Sequence, residues 1–84
     1  MSDTELHHDD IARDIEQKID NVTYVESEGS LSTRVDFGGE SIWLGKDPEG
    51  FIDIDGNLSS KNFKAIKKYL KKYGDKVRND TKEF

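Results

Sequence analysis

Four groups of side chains have types and spacings that bear on chemistry. The first is His7-His8-Asp9-Asp10, the one cluster of metal-ligand types. Neighbouring residues on a helix point about 100° apart, and helical zinc sites prefer partners at i and i+4. The two histidines therefore do not chelate together. His8 projects toward an Ile11/Ile15 stripe, which predicts a packing role for it. The second group, Asp53-Ile54-Asp55-Gly56-Asn57, looks like the opening of a calcium loop. Counted from Asp53, however, the sixth residue is Leu58 rather than glycine and the twelfth is Lys64 rather than glutamate. The reading is a strand end followed by a turn. Neither group predicts a metal or a cofactor. With no cysteine, no Gly-x-Ser-x-Gly elbow and no glycine-rich loop before a helix, the sequence predicts no enzyme.

The other two groups are charged surfaces. Residues 1–57 carry 15 acids against 4 bases, and residues 58–84 carry 9 bases against 3 acids, so the chain divides into an acidic and a basic part. Asp36, Glu40, Asp47, Glu49, Asp53 and Asp55 fall on predicted hairpins and one sheet face, with Trp43 among them. Carboxylates spaced on a rigid sheet can imitate a phosphate track and occupy a basic groove, and tryptophan is a residue type enriched in binding hot spots. The bland alternative is a charged surface that serves solubility. The basic part centres on Lys61, Lys64, Lys68, Lys71 and Lys72, among seven lysines between 61 and 76. These can track a phosphate backbone, or they can be the solvated face of a helix.

The elements that must position these groups follow from periodicity. Ile11, Ile15, Ile19 and Val22 recur at spacings of 4, 4 and 3, predicting a helix over about 5–20, with Thr4 or Asp9 as N-cap. Thr23–Glu26 reads as a short strand, followed by a turn at Glu28-Gly29-Ser30. Leu31, Thr33, Val35 and Phe37 alternate with Ser32, Arg34 and Asp36, the period of a half-buried strand. Gly38-Gly39 is a hairpin turn. Strands over 40–44 and 51–55 follow, with Ile42, Leu44, Ile52 and Ile54 inward, and Gly56-Asn57 ends the sheet. Phe63, Ile66, Leu70, Tyr73 and Val77 are spaced 3, 4, 3 and 4, predicting a second helix from Ser59 or Ser60 that Gly74 caps or that runs on through Val77. Residues 78–84 read as a frayed tail.

The predicted fold is therefore a single α+β domain over 1–84, α-β-β-β(-β)-α. It is a two-layer sandwich with an antiparallel sheet of three to four strands and two helices on one face. Arg34, Asp36, Trp43, Asp53 and Asp55 would lie on the open face, with Phe51 at its edge. Leu, Ile, Val and Phe total 20 of 84, above the roughly one-fifth below which disorder is the default, so a small core can form. The acidic start MSDTELHHDD is unlike a secretory signal, and no apolar run approaches a membrane span. The expectation is an intracellular domain.

Two resemblances bear on function. The segment from Gly56 to Leu70 resembles the start of the last helix of double-stranded RNA-binding domains, with Ser60, Lys61, Lys64 and Lys68 in the places of that family's serine and lysines. It departs from the pattern at Asn62 and in its lack of an alanine-rich packing face. In size, acidity, lack of cysteine and element order, the whole chain is similar to small phage-encoded inhibitors of the anti-CRISPR kind. That resemblance implies a cytoplasmic protein of an infected bacterium that presents acidic surface to the DNA-binding groove of a CRISPR nuclease. The expected function is thus a non-enzymatic protein-binding module using Asp36, Glu40, Trp43, Asp47, Glu49, Asp53 and Asp55. The alternative is nucleic-acid binding through Lys61, Lys64, Lys68, Lys71 and Lys72. A third reading pairs the second helix with a partner subunit, Tyr69 widening its apolar face.

Overall fold

A computed structural model of the chain describes residues 7–29 and 31–84. Helix α1 (His8–Lys18) leads into strands β1 (Tyr24–Glu28), β2 (Ser32–Asp36), β3 (Ser41–Lys46) and β4 (Ile52–Leu58). Helix α2 (Ser60–Leu70), a 3-10 segment (Lys71–Lys76) and strand β5 (Val77–Glu83) complete the chain. The sheet order is β1-β2-β3-β4-β5. The first four strands form antiparallel hairpins, whereas β5 lies parallel to β4. A parallel neighbour needs a crossover, and α2 supplies it.

All of the sheet's fully buried side chains point one way. Val35 pairs with Ile42, Leu44 with Ile54, and Ile52 with Val77, so these residues share a face. Against it pack Ile11, Ala12 and Ile15 of α1 and Ile66 and Leu70 of α2, forming one core. Both helices therefore cover the same face, as the alternation predicts. At helical spacing the exposed lysines of α2 must then point away from the sheet.

Four local readings change. Residues 78–84 are not a frayed tail: strand β5 runs to Glu83 and is tied at its end by Phe84 N–H donating to the Leu58 carbonyl at 2.9 Å. Gly74, at φ 59 and ψ −130, breaks the helical path, so Val77 enters the core from β5 rather than from α2. The pair Gly56-Asn57 does not end β4, which continues to Leu58. Leu31 does not join Thr33, Val35 and Phe37 in the core; it lies before β2 and is 82% exposed.

The N-cap of α1 is His7, with no capping side chain, and Asp9 sits in the first turn instead. Thr4 and Ser30, read above as cap and turn residues, lie outside the described residues, as does any helix start before His7. The Gly38-Gly39 turn is present, both residues having positive φ. Among the described residues no helix is long and apolar enough to cross a membrane.

Candidate functional site

The side chains opposite the core share the uncovered face of the sheet. Register places Glu26, Arg34, Trp43, Asp55 and Asp80 in one row across all five strands. A second row runs Glu28, Ser32, Gly45, Asp53 and Arg78, and a third runs Tyr24, Asp36, Ser41, Asn57 and Lys82. The face thus carries six carboxylates against three cations. Trp43 is at its centre and 44% exposed. Asp47 and Glu49, in the β3–β4 loop, extend the acidic surface at one end.

Cations do not distribute evenly over this face. Arg34 lies within ion-pair distance of three carboxylates, Glu26 at 3.0 Å, Asp36 at 3.3 Å and Glu28 at 3.8 Å. Arg78 holds Glu49 at 2.9 Å and Asp47 at 3.1 Å, and its guanidinium lies 4.6 Å from the Phe51 ring centre. On β4 and β5 the balance differs. Asp53, Asp55 and Asp80 sit on adjacent parallel strands without an ion pair among the described residues. The hydrogen bond between the Asp53 and Asp80 carboxyls, helped by burial and by the charges of Asp80, Asp55 and Asp47, pushes Asp53 up to about 6. One proton shared between two carboxyls relieves the repulsion of two like charges at close range. The register neighbours Arg34 and Arg78 turn to other carboxylates, which leaves this part of the face negative.

Several predicted contact residues have structural duties. Glu40 turns away from the acidic face to the start of α2. One of its oxygens accepts from Ser59 N–H at 2.9 Å and from the Asn62 amide at 2.9 Å. The Asn62 bond first, then Ser59, hold its carboxyl below the usual range. Asn62 is itself buried and accepts from the Asn21 amide at 3.0 Å, linking the α1–β1 connection to α2. Asp47 folds its own loop by accepting from Glu49 N–H at 3.0 Å and Phe51 N–H at 2.9 Å. Asp36 accepts from the Ser41 hydroxyl across the β2–β3 pair. Trp43, Asp53 and Asp55 remain as the centre of the predicted surface, with Glu49 at its end. Sequence reasoning missed Asp80, which came with the unforeseen strand, and Glu26 and Glu28, whose strand runs further than its β-formers suggest. The alternation of Glu26 and Glu28 with Val25 and Ser27 was the available signal.

The histidine cluster disperses. His8 is buried with its Nδ1 hydrogen-bonded to Thr33 Oγ1 at 2.7 Å, in keeping with its packing role. Asp9 accepts from Ser27 at 2.6 Å and from Arg13 at 3.2 Å; the Ser27 bond is the main reason its carboxyl lies below the usual range. Among the described residues no group of three or more His, Asp or Glu side chains is arranged to hold a metal ion.

The predicted basic residues divide differently. Lys72 leaves the free lysine face: it reaches Asp14 at 3.1 Å and lies 4.5 Å from the centre of the Tyr69 ring. Asp14 also accepts from the Tyr69 hydroxyl, and these two bonds, Tyr69 first, lower its carboxyl to about 2. Burial and the Asp14 bond push the Tyr69 hydroxyl up. This network ties α1 to α2, so Tyr69 serves the inside of the domain rather than widening an outer apolar face. Lys61, Lys64 and Lys68 are exposed on α2, and Lys71 is exposed in the 3-10 segment that follows.

Comparison with protein-family models, with curated proteins and with solved structures finds no match.

Proposed function

We propose that the chain is a small non-enzymatic binding module whose open sheet face docks into a basic groove of a partner protein. One observation carries this reading: among the described residues the five-stranded sheet leaves one face uncovered, and at its centre an exposed tryptophan stands in one row with Asp55 and Asp80, with Asp53 in the next row, three carboxylates that form no ion pair among the described residues. A surface that served only solubility has no need of a half-exposed tryptophan at its centre. Flat carboxylate rows on a rigid sheet are pre-organised, so docking costs little ordering entropy, and Trp43 supplies apolar contact between charges. A groove built for phosphates meets the same sign of charge here. A nuclease groove of the kind implied by the resemblance to phage inhibitors is one such partner.

The test is retention of bacterial lysate proteins on the immobilised chain, with elution by a short DNA duplex. The expected result is a protein retained by the wild type, released by duplex DNA and lost when Asp53→Lys and Asp55→Lys are combined. The variant's circular dichroism and melting curve establish that it is folded. A retained set unchanged by the reversal, or one that DNA does not release, removes the assignment.

A further inference from the structure

The second charged surface lies on the helix layer. Lys61, Lys64, Lys67, Lys68 and Lys71 are all exposed, and among the described residues none forms an ion pair. From Lys61 to Lys71 they recur every one to three residues, over about 15 Å of axial rise. Two depressions flank them. A groove of about 650 Å³ between the end of α1 and α2 is lined by Lys18, Lys61, Lys68 and Lys72 over Ile19, Ala65 and Tyr69, with Asp20 as a carboxylate in the lining. A shallower one of about 310 Å³ is lined by Lys64, Lys67, Lys68 and Lys71. Lys68 borders both, so the two form one continuous basic track.

We propose that this track is a second binding surface and that it takes the phosphodiester backbone of a nucleic acid. Five ammonium groups without an ion pair among the described residues, four on α2 and Lys71 just beyond it, repel one another, and a polyanion relieves that repulsion while releasing its own counterions. Lysines are mobile point charges without the planar fork that fixes a carboxylate or a base edge. The track offers no strand edge to hold a peptide backbone in register. Charge spaced along a polymer, bound without sequence preference, is the ligand that such a surface fits. The acidic sheet face is turned the other way across a fold whose shortest dimension is 22 Å, against a Debye length of about 8 Å at physiological salt, so it repels a strand bound here only weakly.

The experiment is fluorescence anisotropy of the full chain with labelled mixed-sequence duplexes of about 20 base pairs, DNA and RNA in separate arms. Four phosphate contacts predict that affinity falls by about 100-fold between roughly 50 and 200 mM salt, with little difference between two unrelated sequences. The combined variant K61Q/K64Q/K68Q loses most of the binding and most of that salt dependence. Its melting temperature stays near that of the wild type, because these side chains make no ion pairs among the described residues. The variant D53K/D55K binds duplex at least as well as the wild type, which separates this surface from the acidic face. Absence of saturable binding at the lower salt overturns the proposal. So does binding that survives in the triple lysine variant. Displacement of the duplex by poly-glutamate at an equal concentration of charge would also overturn it, assigning the track to an acidic protein segment.

Discussion

Asp53 and Asp80 place two carboxyls in one hydrogen bond, and this gives the chain an unusual response to pH. Unfolded, Asp53 ionises near 3.8; folded, it keeps its proton to about pH 6. Between those values the folded chain binds more protons than the unfolded one. The group's contribution is therefore fully present below pH 3.8 and is lost as pH rises through 6. Asp14 has the opposite sign. Its lowered value means a contribution present above 3.8 and lost as pH falls toward 2. In Asp53→Asn an amide donates to Asp80 at every pH. Thermal melts should therefore show the variant above the wild type at pH 7.5, by a few degrees, and the two converging near pH 4. A difference that does not change with pH would break the link between this pair and stability. The same pair shows how a residue's role depends on a partner distant in sequence. Asp53 was legible as a surface acid from its alternation with Ile52 and Ile54. Its perturbation was not, because Asp80 lies in residues whose polar sequence gave no strand.

Gly56 shows the same dependence among whole elements. Glycine followed by asparagine reads as a turn, yet β4 runs straight through it at φ 143. A Cβ at this position would lie 2.5 Å from the Ser41 carbonyl oxygen and 2.9 Å from the Ile42 Cα, both backbone atoms of β3. The glycine is there because the neighbouring strand approaches closely. Gly56→Ala should cost about 3 kcal/mol in urea denaturation, combining a disfavoured φ with a backbone clash. Gly50→Ala is the control: its φ is 94 but nothing lies within 4 Å, and only the conformational cost of about 1 kcal/mol remains. Equal losses at the two positions would show that close packing at Gly56 is not the cause. The stripes of α1 and α2 and the alternation in β2, β3 and β4 were readable because each buries apolar residues at its own period. Strand β5 was not, since only Val77 and Thr81 are buried and they stand four apart, a spacing that a helix also satisfies. Val77 was drawn into the α2 stripe for that reason. Glu40 looked like a surface acid, and only the approach of Ser59 and Asn62 makes it a support for α2. Lys18 belongs to the basic groove, but it comes from α1, and no pattern within α2 points to it.

At the scale of the molecule, the two layers separate charge. The sheet face is acidic, the outer face of α2 is basic, and the shortest dimension of the fold is 22 Å. Whether each face acts alone depends on the ratio of that dimension to the Debye length. At about 0.15 M salt the length is roughly 8 Å, and neither face senses the other. At about 0.01 M it is roughly 30 Å, and the whole net charge of −5 acts on an approaching ion. Trp43 is the only tryptophan and stands in the acidic face, so its fluorescence reports that face alone. Stopped-flow mixing with a poly-lysine peptide then separates the two regimes. At the higher salt D53N/D55N should slow association several-fold, while K61Q/K64Q/K68Q leaves it unchanged. At the lower salt the lysine variant should associate faster than the wild type, because removing three positive charges deepens a field that now extends across the domain. If the lysine variant is faster at both salts, the faces are coupled by something other than long-range charge, and the separation of the two surfaces by the sheet–helix sandwich is not what keeps their ligands apart.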